Sequence, residues 1–154
     1  MLVPIDKTLG DGEFKKASLI LCYPRPTDSE VLSRVGELRG LGVDALIFRG
    51  RTKIAGVQVL GKGHVGVVVA AMHRGREVAL KIRRVDADRE TMSREAEMLR
   101  KANTLSVGPQ LLGCSDNFLL MELVEGKNLW QWLREANEIE RVRRVLRELM
   151  GQCR

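Results

Sequence analysis

Three β-favouring stretches joined by two short turns place the strongest constraint on the fold of this chain. The stretches span residues 54–60, 65–72 and 77–83, and glycines occur in both intervening turns, residues 61–64 and 73–76. A parallel crossover takes a dozen or more residues, so turns this short require an antiparallel arrangement. The middle of the chain is therefore expected to form an antiparallel sheet.

A helix is expected to follow this sheet. Asp86 or Asp88 would cap it, and it would reach about Asn103. Apolar residues recur on one side of it at intervals of four and three, and these are Met92, Ala96 and Leu99. Gly108-Pro109 then breaks the chain.

The remaining C-terminal segments read as one hairpin and two helices. Residues 110–114 and 117–124 are expected to form the hairpin around Ser115-Asp116, and residues 128–136 and 138–150 to form the helices.

The N-terminal residues predict a small α/β unit. The apolar run of residues 17–23 stops at Pro24 and suits a buried strand. A capping box at residues 27–30 predicts a helix, and residues 43–48 read as a second strand. Three regions follow: an N-terminal extension over 1–53, a central domain over 54–126 and a helical segment over 127–154.

Composition excludes several classes of protein. No apolar run approaches the roughly 20 residues needed to cross a bilayer. The 3 cysteines form no CxxC pair, which argues against a zinc ribbon or a disulfide scaffold. We therefore expect a cytoplasmic protein with no membrane partner. The net charge of +6 is not concentrated in a tail, so charge alone does not establish a nucleic-acid partner.

Residues 61–68, with the sequence GKGHVGVV, match the pattern GxGxxGxV. In a dinucleotide-binding fold a helix begins at such a loop. Here the β-favouring residues 67–71 follow instead, and no Walker motif occurs. Two interpretations remain: a tight turn without a ligand, or a glycine loop between antiparallel strands whose backbone amides cover phosphate oxygens.

Lys81 lies within the apolar segment VALKI, on the same strand face as Ala79. A charge on a half-buried face requires a partner or an anion. Glu95, three residues after Met92 and four before Leu99, lies on the inward helix stripe and is the predicted partner, whereas Glu97 should face water. The alternatives are that Lys81 guards an edge strand and that Glu95 only borders the stripe.

Four segments in order now resemble one family. GKGHVGVV, VALKI, REAEML and LLMELVEG are similar to the motifs of the ATP-binding N-terminal lobe of a eukaryotic-like Ser/Thr protein kinase, of an archaeal or atypical, RIO-like type. The similarity covers about residues 54–134. It implies an α+β fold, with an antiparallel five-stranded sheet and one packed helix, flanked by the N-terminal α/β extension and the C-terminal helices.

The resemblance also implies ATP as ligand and assigns its contacts. Lys81 would hold the α- and β-phosphates, and Glu95 would orient Lys81. The phosphates would be covered by Gly61, Gly63 and Gly66. The adenine pocket would be formed by Leu60, Val68 and Ala79, with Met121 at its back. The hinge and ribose contacts would come from Glu122, Val124 and Asn128.

The catalytic loop and the metal-binding aspartate of kinases have no counterpart here. The only histidines are His64 and His73, and no aspartate follows Asp116. This chain alone is therefore expected to be inactive, as a fragment of a protein kinase. Mg²⁺ and the protein substrate would bind in a second lobe.

Two alternatives stay open. One is the lobe of a small-molecule kinase of the aminoglycoside or choline type. The other is a non-catalytic module that binds a protein or RNA. The basic residues of the last predicted helix would serve RNA binding, although a solvated helix face is the simpler interpretation. They are Arg141, Arg143, Arg144 and Arg147.

Overall fold

The computed structural model describes residues 1–6, 12–88, 91–127, 129–136 and 138–152. The chain divides into two compact units, Met1–Leu123 and Val124–Arg154. The first unit thus contains the N-terminal residues together with the central sheet.

The described part of the first unit contains nine strands and three helices. In chain order they are β1 (Leu2–Pro4), α1 (Gly12–Leu21), α2 (Asp28–Gly40), β2 (Val43–Ile47), β3 (Thr52–Ile54), β4 (Val57–Val59), β5 (Gly61–Lys62), β6 (Gly66–His73), β7 (Arg76–Arg83), α3 (Ser93–Thr104), β8 (Leu111–Cys114) and β9 (Phe118–Met121).

The main sheet has the order β1-β2-β6-β7-β9-β8, and β5 also pairs with β6. Every strand pairing among the described residues is antiparallel, which confirms the α+β class and the predicted direction of the central strands. Five strands were predicted for the central region, which supplies β5 to β9; with β1 and β2 of the N-terminal region, the sheet has seven. The N-terminal strands β1 and β2 join it through β6, where Leu46 lies opposite Ala71.

Residues 54–60 are not one strand, as their composition had predicted. They are divided between β3 and β4, which pair with each other in a separate two-stranded sheet. Ala55 and Gly56 connect these strands with φ angles of 47° and 84°. Positive φ at both turn residues produces the tight two-residue hairpin connection that matches strand twist.

The predicted strand at residues 17–23 is also wrong, since most of this run lies in helix α1. Phe14, Ala17 and Leu21 are buried at helical spacing, and the Ser18 hydroxyl donates to the Phe14 carbonyl oxygen at 2.9 Å. A short apolar run does not distinguish strand from helix by periodicity alone. The decisive residue, Phe14, precedes the run.

Helix α2 and its cap agree with prediction in part. The Thr27 hydroxyl accepts a hydrogen bond of 3.4 Å from the Glu30 amide, as a capping residue should. The Glu30 carboxylate, however, does not return to the cap. It accepts a hydrogen bond of 2.8 Å from the Arg34 side chain one turn later.

The two faces of the main sheet are covered by different helices. Helices α1 and α2 pack on one face, whose buried strand residues include Val69, Leu80 and Leu120. Helix α3 packs on the other face, where Met92 and Ala96 form a smaller core with Leu119. Because side chains alternate along a strand, neighbouring residues of β9 belong to different cores: Leu120 to the first and Leu119 to the second.

Helix α3 begins later than the sequence predicted. Met92 precedes it and makes no side-chain capping bond, and neither aspartate proposed as a cap performs that role. Asp86 is paired with Arg84 through contacts of 2.8 and 2.6 Å, and this hydrogen bonding holds the pKa of the Asp86 carboxyl below its usual range. The Asp88 Oδ2 atom lies 3.4 Å from His64 Nε2.

Cys22 follows α1 and is fully buried, and burial raises the pKa of its thiol to about 11. Alkylation requires an accessible thiolate. At pH 8 we expect iodoacetamide to modify Cys22 about 10³-fold or more slowly in the folded protein than in urea. Half-buried Cys114, whose pKa is also raised by burial, should react faster and serves as the internal comparison in peptide mass spectrometry. Equal rates at both cysteines would contradict the burial of Cys22.

The second unit contains α4 (Leu129–Glu135) and α5 (Ile139–Gln152), close to the two predicted helices. An apolar groove in this unit is lined by Leu129, Trp132, Val145 and Leu149. The arginines of α5 are exposed: Arg143 pairs with Glu140 at 2.8 Å, and the Arg141 guanidinium lies 5.7 Å from the Trp132 ring centre. Across the described residues, no helix is both long and apolar enough to span a membrane.

Candidate functional site

The glycine-rich segment forms a tight hairpin between β5 and β6. Gly61 lies opposite Val68, and the Gly63 amide donates to the Gly66 carbonyl oxygen at 2.8 Å. The strand that follows the loop agrees with the prediction and excludes the dinucleotide-binding geometry, in which a helix begins at the loop. The backbone of Gly63 is exposed at the tip of this hairpin.

Gly66 closes the hairpin where β6 and β7 approach each other. A Cβ atom placed on Gly66 would lie 2.7 Å from the Ile82 carbonyl oxygen and 3.4 Å from two side-chain carbons of Lys81. The first distance is shorter than van der Waals contact. Glycine is therefore required here by space, and the last glycine of the loop lies directly against Lys81.

Lys81 lies on β7 between Val68 of β6 and Leu119 of β9. Its ammonium group forms an ion pair with the Glu95 carboxylate of α3, and the two side chains are 23% and 26% exposed. The predicted pairing is thus confirmed. The edge-strand alternative for Lys81 is wrong, because β7 is an inner strand of the sheet.

Glu97 faces solvent, unlike Glu95, as the helix geometry predicted. Its side chain is 57% exposed. The Glu97 Oε1 atom forms an ion pair of 2.8 Å with Lys101 Nζ, one turn along the same helix. The hydrogen bond from Lys101 holds the pKa of the Glu97 carboxyl below its usual range. Glu95 and Glu97 therefore differ in partner and exposure although they are only two positions apart.

Three of the predicted adenine-contacting residues, Val68, Ala79 and Met121, lie near this pair on the sheet, and Leu60 directly precedes β5. Ala79, two residues before Lys81 on β7, lies opposite Ala70 of β6 and Met121 of β9. Val68 is half-buried and its carbonyl oxygen accepts a hydrogen bond of 2.9 Å from the Leu60 amide. Met121 also packs against the core under α3, so its position agrees equally with a structural role.

The predicted hinge residues differ in how the structure describes them. The Glu122 amide donates to the Gln110 carbonyl oxygen at 2.8 Å, and the Glu122 carboxylate accepts from the Gln110 amide at 3.1 Å. Val124 is exposed and begins the second compact unit. Asn128 lies outside the described residues.

Sequence reasoning missed a buried arginine that connects α2 to the sheet. Arg34 is fully buried, and one of its terminal nitrogens donates to the carbonyl oxygens of Leu21 and Arg83, both at 2.6 Å. Arg83 is two residues after Lys81. Arg34 lies on the apolar stripe of α2, three residues after Val31 and four before Leu38, so it was predictable from the same helical spacing as Glu95.

Glu37 makes a second polar connection, to the turn between β8 and β9. Its carboxylate accepts hydrogen bonds from the Ser115 hydroxyl at 2.6 Å, the Asn117 amide at 3.0 Å and the Asn117 side chain at 2.5 Å. Asn117 in turn accepts from the Arg83 guanidinium at 3.0 and 2.7 Å. No sequence pattern pointed to this network, since its members are up to 80 positions apart.

The same turn also supports the helix that carries Glu95. The Met92 amide donates to the Asp116 carbonyl oxygen at 3.0 Å, directly before α3 begins. Val65 of the glycine hairpin packs against the core beneath α3. Hairpin, Lys81 and Glu95 are thus supported by contacts from several elements of the first unit.

Among the described residues, no group of three or more histidine, cysteine, aspartate or glutamate side chains could hold a metal ion. Comparison with protein-family models gave no match, and a search of curated proteins found no significant relative.

Proposed function

We propose that this chain provides the ATP-binding lobe of a Ser/Thr protein kinase. The observation that carries the proposal is the Lys81–Glu95 ion pair beside the glycine hairpin, with Lys81 Cγ and Cε 3.4 Å from the position of a Cβ on Gly66. The order of the four sequence motifs supports the same assignment. Counted from β5, the first strand of the glycine hairpin, Lys81 lies on the third strand, β7, as in kinases.

The residues present fit the phosphate groups of ATP. Lys81 is partly exposed and paired with a carboxylate, so its ammonium group keeps a defined position while it can still contact an anion. Gly61 and Gly63 carry no side chains that would keep phosphate oxygens from the hairpin backbone. When bound, ATP supplies the phosphoryl group to be transferred, while Lys81 and the hairpin hold its phosphates.

The proposed adenine contacts involve residues close to Lys81. Leu60, Val68 and Ala79 would supply apolar contacts to the base, and Met121 would limit the depth of its pocket. The Glu122 amide already donates to Gln110, so any backbone hydrogen bond between Glu122 and adenine must be one that the Glu122 carbonyl oxygen accepts. The kinase assignment places Mg²⁺ and the protein substrate in a second lobe.

Nucleotide-dependent thermal stabilisation tests the proposal. For the wild-type chain, ATP at 100 times its Kd is expected to raise Tm by about 5 to 10 °C. The Lys81→Ala variant should lose this shift, because the phosphates lose their cation. Lys101→Ala is the matched control, since it breaks an ion pair on the exposed side of α3. That variant should retain the full shift.

Each result has a definite meaning. Equal stabilisation of wild-type and Lys81→Ala protein would overturn the assignment of Lys81. An unchanged Tm of the wild-type chain at millimolar ATP, with and without Mg²⁺, would overturn the proposed function.

A further inference from the structure

An aromatic side chain of the N-terminal region contacts the glycine hairpin. Tyr23, the only tyrosine of the chain, directly follows Cys22 beyond the end of α1. The Lys62 ammonium, in the middle of the GKG segment, donates a hydrogen bond of 2.9 Å to the Tyr23 hydroxyl. The same nitrogen lies 4.8 Å from the centre of the Tyr23 ring, within cation–π range.

A second cation connects this ring to the strand that carries Lys81. The Arg84 guanidinium lies 5.3 Å from the centre of the Tyr23 ring, and two hydrogen bonds to Asp86 orient it. The Arg84 amide donates to the Val65 carbonyl oxygen of the hairpin at 2.9 Å, and the Val85 amide donates to the Tyr23 carbonyl oxygen at 3.0 Å. The Tyr23 segment therefore contacts both sides of the hairpin: Lys62 directly and Val65 through residue 84.

We propose that Tyr23 is a positioning residue for the glycine hairpin, through which the N-terminal helices control how the hairpin holds phosphate. This inference rests on the proposed function and extends it to the N-terminal residues. Tyr23 acts through Lys62 and requires no contact with ATP. Loss of the ring would free the Lys62 side chain, and the hairpin would sample more open conformations.

Hydrogen exchange of the free protein tests the mechanical part of the proposal. Tyr23→Ala is expected to accelerate amide exchange in residues 61–66 by about three- to fivefold, the scale of an exposed cation–π contact with a hydrogen bond. Tyr23→Phe removes the hydroxyl but keeps the ring, so it should accelerate exchange less than Tyr23→Ala. In a protein that already carries Lys62→Met, Tyr23→Ala should cause little further acceleration of exchange in residues 61–66, because both substitutions remove the same contact. Unchanged exchange in Tyr23→Ala would overturn the proposal.

The functional part is tested by comparing ATP with adenosine. Tyr23→Ala should raise the Kd for ATP by about three- to fivefold and leave the Kd for adenosine unchanged, because adenosine has no phosphate for the hairpin to hold. Val35→Ala is the control for general destabilisation, since Val35 belongs to the core under α2. It should not alter the preference for ATP.

The outcomes separate the two proposals. Equal weakening of ATP and adenosine binding by Tyr23→Ala would identify structural damage and overturn the positioning role. If the wild-type protein binds neither ligand, the proposed function fails, whereas a hairpin that still exchanges faster in Tyr23→Ala upholds the coupling of Tyr23 to the hairpin.

Discussion

Replacement of Glu37 by alanine is expected to lower the free energy of unfolding by about 3 kcal/mol, which corresponds to a fall in Tm of about 6 to 12 °C. The Glu37 carboxylate accepts three hydrogen bonds from Ser115 and Asn117. Asn117 is buried, so its side chain and amide would lose their acceptor without full access to water. Urea unfolding followed by circular dichroism measures the loss.

Two further variants define the cause of this effect. Glu37→Gln retains one acceptor oxygen and should lose less stability than Glu37→Ala. Glu97→Ala removes an exposed carboxylate that is paired with Lys101, and we expect no measurable change in the free energy of unfolding. A Glu37→Ala protein as stable as Glu97→Ala would show that the turn network contributes little.

Gly66→Ala should destabilise the first unit by about 2 kcal/mol and remove the stabilisation by ATP that the proposed function predicts. The new methyl group would lie 2.7 Å from the Ile82 carbonyl oxygen, so β6 and β7 must separate where they carry Gly66 and Lys81. The Lys81 side chain, in contact with the same methyl group, would also move. Thermal unfolding with and without ATP measures both effects.

Gly61→Ala provides the comparison within the same motif. A Cβ on Gly61 meets no atom within 4 Å among the described residues, and we therefore expect unchanged stability of the free protein. Equal losses of stability in Gly61→Ala and Gly66→Ala would mean that space between β6 and β7 is not the reason for glycine at position 66.

The Lys81–Glu95 pair was predictable because it depends on two short-range periodicities. Alternation along a strand directs Lys81 and Ala79 to the same face, and the spacing of Met92 and Leu99 turns Glu95 inward. The glycine hairpin was predictable for a similar reason, since the β-branched residues after Gly66 favour a strand over a helix. These inferences need only neighbouring residues.

The N-terminal region could not be predicted in the same way. Residues 17–23 are apolar enough for a strand or a helix, and they form part of α1 because Phe14 and Leu21 are buried together in the core with α2. Strand β2 was predicted as an element, but its pairing with β6 was not. Strand composition does not specify a distant partner, because backbone hydrogen bonds are the same for any sequence.

Sequence alone therefore determined the glycine hairpin and its strands, the face of β7 on which Lys81 lies, and the position of Glu95 on the apolar stripe of α3. Each follows from spacing within a few residues. Tertiary structure decided that the N-terminal helices cover the opposite face of the same sheet and that Tyr23 and Glu37 contact Lys62 and Asn117. Those contacts join residues 39 and 80 positions apart. They exist only once burial of apolar surface has brought distant segments together, and no local pattern encodes them.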